Sequence, residues 1–257
     1  MFRFLRYSFL SVVILVVGVA DGAPAYCAVA ANFTAVLKDM VPLFEKITGQ
    51  HLRISYGSTG RLYSQIVNGA PFHVFLAADS IRPYKLESAG YGVPGTRYTY
   101  ARGVLVVWSL KKDMVDTMGG ILGADTWRFC ATANPLTAPY GTAARQVLEN
   151  LGLWDRIRPR LVQGNSIAQT WQQVASANAD IGFVAYSQIV PLPPEKKGSY
   201  WVVPDSLYEP LHQQALLLKG AEANEAARAF LEYLRSPSAR KIIIRYGYNL
   251  GVIDDAR

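Results

Sequence analysis

Apolar and polar positions along the chain follow two rhythms in turn. Short, β-branched apolar runs bounded by Gly, Asn or Ser read as buried strands, and longer stretches with apolar residues every three or four positions read as amphipathic helices. The first series predicts a strand over 26–30 and a helix over 36–48 that buries Val36, Met40, Leu43, Phe44 and Ile47 and stops at Gly49. It continues with a strand over 52–56, a helix over 60–67, a strand over 74–77, a helix over 82–89 ended by Gly90, and one long strand over 103–109. A second series places strands over 128–131, 160–162, 181–185 and 200–203, with helices over 142–151 and 167–177 between them. A Pro- and Lys-rich loop covers 191–198. An apolar strand over 212–219 and closing helices over 224–234 and 237–246 follow.

Strand and helix in alternation predict α/β architecture, with mostly parallel sheets flanked by helices on both sides. No low-complexity linker separates the two series, so two lobes joined by ordered crossings are expected. Residues 26–102 plus 209–257 would form lobe one and residues 103–208 lobe two. Ligands of such proteins sit at the carboxyl ends of parallel strands, here the cleft between lobes.

The N-terminus changes this picture. Arg3 and Arg6 precede an apolar run over 9–19 that is short for a membrane span, and Ala23-Pro24-Ala25 offers a small-residue cleavage site. Residues 1–25 therefore read as a cleavable signal peptide. Cleavage is placed after Ala25, with Ala20 and Ala23 as alternative sites and a retained anchor as the alternative fate. No lipid-attachment context precedes Cys27. Without the leader, the net charge of +7 falls to about +6. The Lys and Arg are scattered, which argues against nucleic acid as a partner. Cys27 and Cys130, in strand-like runs of different lobes, read as buried free thiols, with a disulfide as the alternative.

The candidate chemistry lies in polar turns that open helices. Residues 30–34 (AANFT) and 56–62 (YGSTGRL) place small, hydroxyl and amide side chains where backbone N–H groups have no intrahelical partner. Turns at 134–141 and 164–166 do the same in the second series. Plain helix caps explain any one of these. Two from each lobe converging in a cleft would make an anion site without a positive side chain.

Longer segments are recognisable. VAANFTAVLKDMVPLFEKITGQ, ISYGSTGRLYSQIVNGAPFHVFLAADS, TWRFCATANPLTAPYGTAARQVLENLGLWD, GNSIAQT, ADIGFVAYSQI and RYGYNL together resemble the periplasmic molybdate-binding proteins of ABC transporters, across the whole mature chain. The resemblance implies the two-lobe type II periplasmic binding-protein fold and an oxyanion held by neutral donors. It also implies a membrane permease as partner, a periplasmic location, a monomer, no catalytic activity, and no cofactor besides the molybdate or tungstate carried. By position it assigns the ligand to Asn32, Thr59, Tyr140 and the backbone N–H of Ile167, with Ala31, Ser58 and Ala78 as additional candidates. Family members carry the tyrosine donor at one of two places. The Pro139-Tyr140-Gly141 turn favours Tyr140, and Tyr186 is the alternative. His73 stands where the family commonly has Asp or Asn, and reads as a structural histidine.

A proton-bearing anion such as phosphate benefits from a carboxylate in the pocket, and none of the assigned turns carries one. Asp79 reads as a helix cap and Arg61 as solvent-facing. A hydrolase triad of Ser58, His73 and Asp79 lacks a G-x-S-x-G elbow, residues 56–60 being YGSTG. His51, His73 and His212 show no metal-ligand spacing. Sulfate or another oxyanion remains the alternative ligand.

Overall fold

The computed structural model describes residues 22–250, so the predicted leader lies outside the described residues except for its last few positions. The chain runs β1 (Ala25–Ala30), a 3-10 turn (Ala31–Phe33), α1 (Thr34–Thr48), β2 (Leu52–Gly57), α2 (Thr59–Val67), β3 (Val74–Leu76), α3 (Ile81–Ser88) and β4 (Tyr98–Gly103). It continues through β5 (Leu105–Ser109), β6 (Cys130–Ala133), α4 (Pro139–Asn150), α5 (Trp154–Ile157), β7 (Leu161–Gly164), α6 (Ile167–Ala175) and β8 (Ile181–Ala185). The last elements are α7 (Tyr186–Ile189), β9 (Ser199–Val202), β10 (Leu211–Leu217), α8 (Glu225–Arg235) and α9 (Pro237–Arg245).

Two five-stranded sheets result, ordered β2-β1-β3-β10-β4 and β7-β6-β8-β5-β9. Each holds parallel pairs plus a single strand antiparallel to both neighbours: β10 in the first and β5 in the second. The reversed strands are the two that carry the chain across. A strand entering a sheet straight from the cleft runs away from it, whereas its neighbours run toward it. The run predicted as a single strand over 103–109 breaks at Val104, because β4 ends in one sheet and β5 begins in the other. The Val104 carbonyl, left outside both ladders, accepts from Tyr186 N at 2.9 Å.

One face of α1 packs on the first sheet together with α8 and α9. The predicted stripe is corrected here: Leu37 is buried with Val36, Met40 and Phe44, whereas Leu43 and Ile47 are exposed. Phe44 meets Phe230 and Tyr233 edge-on at 5.4 and 5.5 Å, which turns the helix toward that side. The C-terminal helices thus share the core of β1, β3 and β10. The thiols of Cys27 and Cys130 are free and buried in separate sheets. Burial raises both pKa values, that of Cys130 to about 12, so neither is a reactive thiolate.

His73 pairs with β1 at the end of β3 remote from the cleft. Its Nδ1 accepts from Tyr26 N at 3.1 Å and its own N–H donates to the Tyr26 carbonyl at 2.7 Å. Burial lowers its pKa below the usual 6.5, so the folded state favours the neutral ring. The unfolded chain then binds the extra proton, and stability should fall as pH drops through about 6.5. Thermal unfolding of wild type and His73→Gln between about pH 5 and 8 checks this: the wild type should lose more of its midpoint on acidification.

Candidate functional site

Strands β1, β2, β6 and β7 all end at the cleft, and each hands the chain to a helix that begins there. Ala30–Asn32 open the first helical turn, Ser58 and Thr59 open α2, Ala138–Tyr140 open α4, and Ile167 opens α6. Neither Ser58 nor Ala138 caps its helix through a side chain. At α6 the Ser166 hydroxyl takes the N–H of Gln169 and leaves that of Ile167 free. The first N–H groups of a helix have no partner within it, and the helix dipole adds partial positive charge. Four such ends around one space make an anion site from backbone alone.

That space is a small cavity, with room for little more than a water molecule, lined by Ala30, Ala31, Asn32, Gly57, Ser58, Thr59, Ala78, Ala138, Pro139, Tyr140 and Ile167. All seven residues singled out from the sequence therefore meet in one place. Asn32, Thr59, Tyr140 and Ile167 are 1, 1, 2 and 4% exposed. The lobes touch around the cavity: Gly60 N donates to the Thr137 carbonyl at 2.8 Å, and Arg82 Nη2 to the Leu136 carbonyl at 3.0 Å. Arg82 is itself held by Asp79, which also caps α3 by accepting from Arg82 N at 2.9 Å.

The side chains have distinct roles. Thr59 Oγ1 accepts from Ala78 N at 3.1 Å, so its own hydrogen is free to turn to the cavity. Tyr140 OH accepts from Gln213 Nε2 at 3.2 Å. Burial, reinforced by the neighbouring phenols Tyr248, Tyr208 and Tyr100, pushes the Tyr140 pKa well above 10, keeping it a protonated donor. Asn32 behaves differently from a simple ligand donor. Its Nδ2 donates to Gln213 Oε1 and to Tyr248 OH, both at 2.9 Å, and its buried Oδ1 has no partner. What Asn32 leaves free is its backbone N–H at the helix start.

No Lys, Arg, His, Asp or Glu lines the cavity. Among the described residues no group of His, Cys, Asp and Glu could hold a metal ion. Arg61 is exposed. Ser58 lines the cavity, but His73 and Asp79 lie at opposite ends of β3, so no hydrolytic triad assembles. Tyr186 lies outside the cavity lining, with its hydroxyl 3.4 Å from Tyr200 OH.

Sequence reasoning missed the polar layer behind the cavity: Gln213, Tyr100, Tyr248 and Ser187. Ser187 Oγ crosses between lobes to donate to the Asn32 carbonyl at 3.0 Å. A Gln within the apolar run of β10 was the available signal, since an uncharged polar residue wholly buried in a strand must have partners. Tyr248 lay in the quoted RYGYNL segment without any role attached.

With this geometry in hand, comparison with known proteins gives one answer. The family described as bacterial extracellular solute-binding protein matches residues 25–249. The molybdate-binding protein ModA of Azotobacter vinelandii is 50% identical over 90% of this chain and 92% of its own length. ModA of Rhodobacter capsulatus is 45% identical over 91% and 92%. The solved Azotobacter vinelandii periplasmic molybdate-binding protein superposes with a TM-score of 0.85 at 43% identity, covering 88% of this chain and 99% of that one. The chain therefore belongs to the bacterial extracellular solute-binding proteins, within the family of the molybdate-binding ModA proteins.

Proposed function

We propose that this protein captures molybdate, and tungstate as well, in the periplasm and delivers it to the membrane permease of an ABC transporter. The observation that carries the reading is the cavity itself, closed by both lobes and ringed by four helix starts, with no ionisable side chain except the protonated Tyr140. A tetrahedral dianion without a proton needs only donors, whereas hydrogen phosphate must also find an acceptor for its hydrogen. Asn32, Thr59, Tyr140 and the N–H of Ile167 would hold the oxyanion, with Ala31, Ser58 and Ala78 completing the shell. Lobe one comprises residues 26–103 and 209–250, one residue past the expected boundary because Gly103 closes β4 of the first sheet, and lobe two residues 104–208. Because donors come from both, binding and closure are one event.

The protein acts as a monomer without catalytic activity. Export requires loss of the leader. Ala25 is wholly buried in β1 and its N–H donates to the His51 carbonyl at 2.9 Å, so cleavage after Ala23 keeps the strand whole. N-terminal sequencing of exported protein decides between the sites.

Native mass spectrometry with equimolar molybdate, tungstate, sulfate and phosphate tests the ligand. One molybdate or tungstate per chain is expected, with phosphate absent. Preferential retention of phosphate or sulfate would replace this reading with the alternative oxyanion.

A further inference from the structure

Gln213 touches none of the cavity, yet it joins the two side chains that flank it. It lies in β10, the returning crossing strand, at an irregularity of register between Gln213 and Gln214. Such a break re-aims a side chain within a ladder. Gln213 is 0% exposed and all its polar contacts are internal. Its Oε1 receives Asn32 Nδ2 at 2.9 Å and lies 3.1 Å from Tyr100 OH. Its Nε2 donates to Tyr140 OH at 3.2 Å, across the lobe boundary.

The direction of this chain matters. An amide oxygen only accepts and an amide nitrogen only donates. Once Asn32 gives its hydrogens to Gln213 Oε1 and Tyr248 OH, Gln213 Nε2 must donate to Tyr140. The Tyr140 oxygen is thereby occupied and its one hydrogen has no protein acceptor among the described residues. Gly103 allows the two groups this approach, since a Cβ there would collide with Tyr140 OH and stand 2.6 Å from Gln213 Nε2.

We propose that Gln213 is a positioning residue that sets the polarity of the site: it occupies the Asn32 amide and turns the Tyr140 hydroxyl hydrogen toward the oxyanion. Tyr140 is then the lobe-two side-chain donor, and Asn32 serves through its backbone. Turning both amides over would reverse every step, sending the Tyr140 hydrogen to Gln213 and its lone pair to the cavity. The structure holds the first arrangement, with Asn32 Nδ2 facing Gln213 Oε1 and Tyr248 OH.

This inference rests on the oxyanion reading above, and a double-mutant cycle separates the two. Molybdate is titrated calorimetrically into wild type, Gln213→Met, Tyr140→Phe and the double variant, with thermal midpoints recorded without ligand. Tyr140→Phe should weaken binding about 10- to 150-fold, the loss of one hydrogen bond to a charged group. Gln213→Met, of similar length but without a donor, should weaken it roughly 5- to 30-fold. In the Tyr140→Phe background the same change should shift Kd less than about twofold, because Gln213 acts through that hydroxyl. Losses that multiply in the double variant, or a Gln213→Met protein that binds as well as or better than wild type, overturn the proposal.

Should Gln213→Met not fold, Tyr100→Phe replaces it. Its ring keeps the edge contact with Phe33 at 5.0 Å, and what is lost is the hydroxyl shared between Gln213 Oε1 and the Ala77 carbonyl. A loss of about two- to fivefold that vanishes in the Tyr140→Phe background is expected, and no loss with Tyr140 present overturns the relay. Wild-type protein that binds neither molybdate nor tungstate would reject the oxyanion reading itself.

Discussion

Replacing Ile167 with proline should leave the protein folded and weaken molybdate binding by about 100-fold or more. Ile167 is the first residue of α6, and proline suits that position because its fixed φ matches the helix and its missing N–H has no intrahelical partner. The preceding residue, Ser166, already has the extended backbone (φ −151°, ψ 164°) that a following proline requires. What changes is the site. One N–H aimed at the oxyanion disappears, at about 1.5–3 kcal/mol for a charge-assisted bond. The proline Cδ then stands where that hydrogen met the ligand, which adds roughly 1–3 kcal/mol of overpacking. Ile167→Val, which keeps the N–H and most of the side chain, should bind like wild type. Calorimetry with molybdate on both variants, beside their ligand-free thermal midpoints, is the measurement. Equal loss in both would place the role of Ile167 in its side chain and remove the backbone donor from the site.

A second large effect is expected from a single methyl group at Gly60. In the closed structure a Cβ there would stand 2.9 Å from both Cα and the carbonyl oxygen of Thr137 in the facing lobe, and 3.1 Å from Arg82 Nη2. The obstacle is backbone and cannot swing aside. The same contact holds the 2.8 Å bond from Gly60 N to Thr137 O, which the methyl group would stretch. Together these cost the closed state about 2–4 kcal/mol, or roughly 30- to 900-fold in affinity. The isolated lobe gains instead, since alanine favours a helix over glycine by up to about 1 kcal/mol. Gly60→Ala should therefore bind molybdate weakly while melting no lower than wild type without ligand. Unchanged affinity would mean that the lobes grip the ion without this approach.

The α/β alternation was plain in the sequence because each buried strand is a short apolar run and each helix repeats its apolar positions. Where the chain crosses between lobes the pattern failed. Residues 103–109 read as one continuous strand, since apolarity says nothing about which sheet a residue joins, and the break at Val104 depends on tertiary geometry. The strand Tyr98–Gly103 was missed because its alternating tyrosines and polar residues carry no strong apolar signal. At α1 the period was right and the face slightly wrong, because Phe230 and Tyr233, distant in sequence, decide which flank is covered.

The site divides along similar lines. Helix starts are local features, so Asn32, Thr59, Tyr140 and Ile167 could be named from short turns once the resemblance had aligned them. Hydrogen-bond direction is not local. That Asn32 turns its amide toward Gln213 and Tyr248 depends on residues 181 and 216 positions away along the chain. Spacing within a turn carries no trace of them.

The strand order also bears on how the chain is made. All five strands of the second sheet, β5 to β9, are contiguous in sequence, so that lobe can assemble as soon as Ser199–Val202 has emerged. The first sheet cannot. Its β3 and β4 are joined only through β10, and its core is completed by α8 and α9 at the far end of the chain. β1 can pair early with β2 and β3, but joining β4 to them waits for β10, across a loop closure of well over a hundred residues, so the lobe begun first is finished last. A nascent chain with this topology therefore leaves its first sheet incomplete until synthesis is nearly finished.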